Sequence, residues 1–260
     1  MPVRTERRDR VWLITLDRPE KMNALDGEMM SQLAAAWSEF ARDDDLWVAI
    51  VTGAGERAFC SGRDLFANAP GSFEAHEARQ HADGEQDETG AFLPGRIWKP
   101  VIAAINGYAL AGGFSLALAC DIRIASSAAR MGSMSVKRNL LGGGQIVRLT
   151  RFVPFGKALE LMMLGDHISA GEALDIGLVN VVVPPEALMD TAFDYARRLC
   201  AGGPLSVRAT KEVAYRALEL PFGEASRLEA QKYREMLETE DVREGHLAFK
   251  ERREPRWKGR

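Results

Sequence analysis

Cysteine is scarce in this sequence. Its three cysteines, Cys60, Cys120 and Cys200, are odd in number and widely spaced. That excludes a disulfide framework and suits reduced thiols in a cytoplasmic protein. No CxxC and no histidine cluster points to a metal. No apolar run is long enough to cross a bilayer. The charged start, MPVRTERRDR, lacks the apolar stretch of a secretory leader. A surplus of one charge is missing too: 34 Lys and Arg face 37 Asp and Glu, a net charge of −3. Nothing in that balance attracts nucleic acid or a membrane surface. What is present is ordinary globular material, 260 residues with 46% hydrophobic side chains, enough for a sizeable core.

Strand and helix patterns alternate along the first part. RVWLITLD (10–17) is β-branched and aromatic and predicts a strand. LWVAIVTG (46–53) and KPVIAAING (99–107) are apolar runs closed by glycine, the form of strands buried on both faces. DIRIASS (121–127) is a fourth candidate, and Asp26 predicts the N-cap of a helix over GEMMSQLAAAWSEFARD. This rhythm indicates an α/β fold with crossover connections. Residues 68–95 interrupt it with a polar, charged, glycine-containing stretch. After residue 155 helical patterns dominate. The expected division is a core over 1–190 and a helical region over 191–260, whose surplus apolar residues suit a neighbouring subunit.

Two glycine-containing loops follow predicted strands: AFCSGRDL (58–65) and GYALAGGFSLALACD (107–121). Open α/β sheets bind ligands beyond the carboxyl ends of their strands. Each loop can offer a backbone N–H to a ligand oxygen, and two converging donors make an oxyanion hole. Taken singly, either loop reads as a tight turn. Taken as a pair, each behind its own strand, they point to function. Asp121 reads as structural, and Cys60 as a small buried residue.

The segments RPEKMNAL, AFCSGRDL, KPVIAAINGYALAGGFSLALACDIRIAS, MLGDHISAGEALDIGLVNVVV and EGHLAFKERREPRWKGR, in this order, resemble the crotonase (enoyl-CoA hydratase/isomerase) superfamily. The resemblance implies a spiral of ββα units with a C-terminal helical trimerisation region. It implies a homotrimer or dimer of trimers and an acyl-CoA thioester substrate, coenzyme A being part of the substrate rather than a bound cofactor. Matched by position, the oxyanion donors are the backbone N–H groups of Arg63 and Gly112. The CoA contacts fall on Lys21, Ala24, Arg63, Asp64, Leu65, Phe66 and Gly112, with Arg252 reaching a neighbouring subunit's CoA.

The sequence departs from the family where hydratases carry two catalytic glutamates. Those positions fall on Ser115 and Ser135. A serine hydroxyl has no useful basicity unless a base activates it. This argues against hydration of a simple enoyl-CoA. It leaves open an isomerase, dehydratase, thioester hydrolase or C–C lyase, or an inactive acyl-CoA-binding paralogue. Substitute acid–base groups are sought among His76, His81, Asp83, Glu85, Asp87 and Glu88. Ser115 and Ser135 themselves read equally well as a small residue in a helix and a loop hydroxyl bonding backbone.

Overall fold

Apolar runs that end near glycine form the central strands. The computed structural model of the protein describes residues 1–64, 92–95 and 97–260. Strands β1 (Val3–Arg8) and β2 (Val11–Leu16) form an antiparallel hairpin, with Asp9 at φ 51° in its turn. To β2 are added, all in parallel, β3 (Val48–Gly53), β5 (Val101–Ile105), β7 (Ile122–Ser126) and β10 (Val181–Val183). β3 and β5 are buried along their whole length, as their unbroken apolar sequences require.

Three of these strands hand the chain almost at once to a short strand of a second sheet. β4 (Ala58–Cys60) follows β3, β6 (Tyr108–Leu110) follows β5, and β8 (Arg130–Gly132) follows β7; β9 (Ile168–Ser169) completes the order β4-β6-β8-β9. Helix α2 (Gly112–Ala119) then closes the β5–β6 unit. After β8 come α3 (Gln145–Phe152) and α4 (Phe155–Leu164). The fold is thus mixed α/β, built from strand–strand–helix units as the resemblance implied.

Helix α1 (Gly27–Arg42) starts as its sequence predicts. Asp26 accepts a hydrogen bond from Met29 N at 2.8 Å, a cap worth about 1 kcal/mol. Met29, Leu33, Ala36, Trp37 and Phe40 make its buried stripe and cover one face of the large sheet. The other face is covered by α6 (Leu188–Ala201), which follows α5 (Ala170–Asp175). Its Leu188, Ala192 and Ala196 pack among Val48, Ile50, Ile102, Ala104 and Ile124. The division expected at residue 190 therefore falls inside α6, a helix that belongs to the core because parallel strands need apolar cover on both faces.

Beyond it lie α7 (Pro204–Ala217), α8 (Phe222–Leu237) and α9 (Glu240–Glu251). The tail after α9 folds back on it. Glu244 accepts from both terminal nitrogens of Arg253, at 2.6 and 3.0 Å, and from Arg256 N at 2.6 Å. These bonds, the Arg253 side chain first, hold the Glu244 carboxyl down to about 2. Among the described residues no helix is long and apolar enough to cross a membrane.

Candidate active site

The site begins with two parallel strands. β4 and β6 pair with Ala58 opposite Tyr108 and Cys60 opposite Ala109. Their carboxyl ends therefore release two loops side by side. One is 61–64; the other is Ala111 and the first turn of α2.

Glycine lets these loops touch. Gly62 has φ +99°, and a Cβ there would lie 2.9 Å from Ala111 Cβ and 3.1 Å from Gly112 N. Any side chain at Gly62 would press on the Gly112 amide. From the other side, a Cβ on Gly112 would lie 3.5 Å from Gly62 Cα and 3.6 Å from Arg63 N. Gly113 is the contact that seats the helix: a Cβ there would fall 2.0 Å from Cys60 O. The structure thus brings together Arg63 and Gly112, the two positions read from the sequence as backbone donors.

A third loop frames them. Leu25 N donates to Gly62 O at 2.8 Å, and Asp64 N donates to Leu25 O at 2.9 Å. Asn23, fully buried at φ 53°, accepts from Arg18 N and donates to Ala54 O and Ala58 O. Arg18 donates to Ala24 O at 2.8 Å, pairs with Asp26 at 2.9 Å and with Asp64 at 3.1 Å. One guanidinium thereby ties RPEKMNAL to SGRD. Ala24 is buried in this junction, while Lys21 is exposed at the end of a single 3-10 turn.

Helix α2 has no side-chain cap. Its cap residue, Ala111, sits at φ 47° and ψ −117°, an unusual conformation for a residue with a Cβ. The helical ladder begins with Ser115 N donating to Ala111 O at 2.9 Å. The N–H groups of Gly112, Gly113 and Phe114 precede it and lie at the positive end of the helix.

Ser115 is 2% exposed. Its hydroxyl donates to Gly143 O at 2.8 Å and accepts from Gln145 Nε2 at 2.9 Å. The same nitrogen donates to Ala111 O at 2.6 Å. Gln145, 1% exposed, is the residue that the sequence reading missed. Its local sign was slight: a polar side chain at the first position of α3, four residues before buried Leu149 on the same helix face. Its partners, 30 and 34 residues upstream, gave none.

Ser135 opens a 3-10 turn after Met134, which has φ 56°, and its hydroxyl meets Ser133 O at 3.4 Å. Arg252 is exposed at the left-handed C-cap of α9. Leu65 and Phe66 lie outside the described residues, as do His76, His81, Asp83, Glu85, Asp87 and Glu88. Asp121 is structural: it accepts from Val101 N, Lys211 Nζ and Tyr215 OH. Cys60 is fully buried, and burial pushes its thiol up to about 12, so it is no nucleophile at neutral pH. Among the described residues no group of three or more His, Cys, Asp or Glu is placed to hold a metal.

Comparison with known proteins defines the class. The family model for enoyl-CoA hydratase/isomerase matches residues 6–260. The chain belongs to that family, the crotonase superfamily. Among its relatives, an (E)-benzylidenesuccinyl-CoA hydratase of Thauera aromatica is 42% identical over the whole of both chains. A carnitinyl-CoA dehydratase of Escherichia coli strain K12 is 40% identical, over 95% of this chain and 94% of its own. The crystal structure of an enoyl-CoA hydratase from Bacillus anthracis superposes over the full length of both chains with a TM-score of 0.92 at 34% identity.

Proposed function

We propose that the protein is an enzyme acting on an acyl-CoA thioester, whose carbonyl oxygen is received by the N–H groups of Arg63 and Gly112. The observation that carries this is the contact between the Gly62–Arg63 loop and Gly112 at the head of α2. When a proton leaves the carbon beside the thioester, its electron pair moves onto that oxygen. Two fixed donors and a helix N-terminus stabilise the charge where it develops. The Leu25 bridge, through Gly62 O and Asp64 N, holds the loop that carries Arg63.

On this reading CoA runs along Lys21 and Ala24 on one loop and Arg63, Asp64, Leu65 and Phe66 on the other, with Lys21 meeting a phosphate. Arg18 keeps the two loops in register. Leu218, Phe222, Tyr233, Leu247 and Phe249 stay exposed on the C-terminal helices. That supports a homotrimer or dimer of trimers, in which Arg252 reaches a neighbour's CoA.

The relatives' names, a hydratase and a dehydratase of CoA thioesters, favour addition or loss of water, a lyase reaction. Ser115 and Ser135 stand where hydratases carry carboxylates, so the proton is handled by another group. Ser115 has given its own proton to a backbone carbonyl and accepts from an amide. That hydroxyl holds structure and is not a base. An isomerase, a thioester hydrolase or a C–C lyase would use the same stabilised oxygen. A second reading, an acyl-CoA-binding protein without turnover, is favoured by the missing carboxylates alone.

The test pairs turnover with binding. Enoyl-CoA hydration and 3-hydroxyacyl-CoA dehydration are assayed beside calorimetry with acyl-CoA. Turnover that falls about 10²–10³-fold in Gly112→Pro supports the enzyme reading. Tight binding with no turnover of any substrate favours the second. Unchanged turnover in folded Gly112→Pro removes the oxyanion assignment.

A further inference from the structure

We propose that Gln145 is a positioning residue: it aims the Gly112 N–H by holding the carbonyl oxygen of the same peptide unit. The inference rests on the oxyanion reading and deepens it. The Ala111–Gly112 peptide is trans, like every peptide bond described. A trans peptide is planar, with C=O and N–H pointing to opposite sides. Whatever fixes the direction of the Ala111 carbonyl therefore fixes the direction of the Gly112 N–H.

Two donors fix it. Ala111 O accepts from Ser115 N at 2.9 Å and from Gln145 Nε2 at 2.6 Å. The Gln145 bond is the shorter and comes from outside α2. Its polarity is unambiguous. Ala111 O and Gly143 O can only accept, so the amide nitrogen must face Ala111 and the Ser115 proton must go to Gly143. Both hydrogens of the amide are then used, one on Ala111 O and one on Ser115 Oγ.

Such holding is needed here because the peptide is strained. Ala111, at φ 47° and ψ −117°, lies in territory suited to glycine. A conformation of that kind costs about 1–3 kcal/mol and persists where its surroundings over-determine it. Without Gln145, the peptide plane can relax by rotation and carry the Gly112 N–H off its target. The Ser115 and Gln145 pair thus fills with neutral hydrogen bonds the space where a hydratase carries a carboxylate. In doing so it supports the donor instead of the base.

The test uses acetoacetyl-CoA, whose enolate has its own near-ultraviolet absorption, with butyryl-CoA as a ligand that does not enolise under assay conditions. The wild-type protein is expected to enrich the bound enolate. Gln145→Leu is expected to lower that enrichment, and turnover, by about 10–100-fold, with butyryl-CoA affinity within about twofold of wild type. In Gln145→Glu the signal should recover as pH falls and the carboxyl regains an O–H donor. If Gln145→Leu does not fold, Gln145→Met, which keeps the length of the side chain without its donor, is expected to show the same loss. A folded Gln145→Leu protein with the wild-type enolate fraction overturns this inference and leaves the oxyanion reading standing. A wild-type protein that binds acetoacetyl-CoA without enriching its enolate removes both.

Discussion

A methyl group on Gly62 would stand 3.1 Å from the nitrogen of Gly112, although 50 residues separate them in the chain. The contact exists because β4 and β6 end side by side, and it gives the most direct test of the site. Gly62→Ala introduces a Cβ at φ +99°, where side chains are strained, and drives it onto the Ala111–Gly112 peptide. The expected result is a turnover loss of about 10²–10³-fold, the size of losing one oxyanion donor. Steady-state kinetics on the folded variant check it. An unchanged rate would mean that Gly112 N–H does not meet the reacting oxygen.

Ser115→Ala separates structure from catalysis at the position proposed to match a hydratase base. The variant leaves Gly143 O without its donor, which should cost about 1–3 kcal/mol in urea unfolding. Turnover should fall less than about tenfold, because no proton transfer is lost. Placing Glu at Ser115 and Ser135 together should lower the melting temperature without creating crotonyl-CoA hydration. A carboxylate at residue 115 would have to enter a buried place already shared with Gly143 O and Gln145. Gain of hydration would show that the missing carboxylates alone account for the departure.

Arg18→Met tests the frame of the CoA side. It removes the donor to Ala24 O and the guanidinium that pairs with Asp26 and Asp64. The expected destabilisation is about 3 kcal/mol, near the cost of breaking a buried pair. The KM for acyl-CoA should rise more than kcat falls, since the loops carrying Lys21 and Asp64 loosen while Gly112 stays seated. An equal fall in kcat with unchanged KM would place CoA elsewhere.

Glu244 gives a pH signature. Its carboxyl titrates at about 2 in the folded chain against an ordinary 4.5, because Arg253 and Arg256 hold it. A depressed carboxyl contributes stability that is present above its unfolded value and lost as pH falls through the folded one. The difference in melting temperature between wild type and Glu244→Gln should be largest above pH 4.5 and should shrink toward pH 2. A constant difference across that range would mean that charge plays no part in holding the tail.

The parts of the fold that were legible are those where local sequence and burial agree. β3 and β5 are buried on both faces, and their unbroken apolar runs say so. Asp26 caps α1 through a contact three residues away, which a sequence can display. β1 escaped because five of its six residues are exposed and charged side chains dominate it, as suits an edge strand. β4, β6 and β8 are three residues each, too short for a period. At the site, the two glycine-containing loops behind their strands were legible as a pair, and Arg63 and Gly112 within them followed from the family resemblance. Gln145 was not legible, because its meaning lies in partners that only the fold delivers.

The seat of α2 on β4 also makes Cys60 a clock. Its thiol is buried beneath the Gly113 contact, while Cys200 is partly exposed. A thiol reagent can reach Cys60 only when that packing opens. In a background carrying Cys120→Ser and Cys200→Ser, the rate of Cys60 labelling therefore counts openings of the site's framework, and acyl-CoA that binds the closed form should slow it in proportion to occupancy.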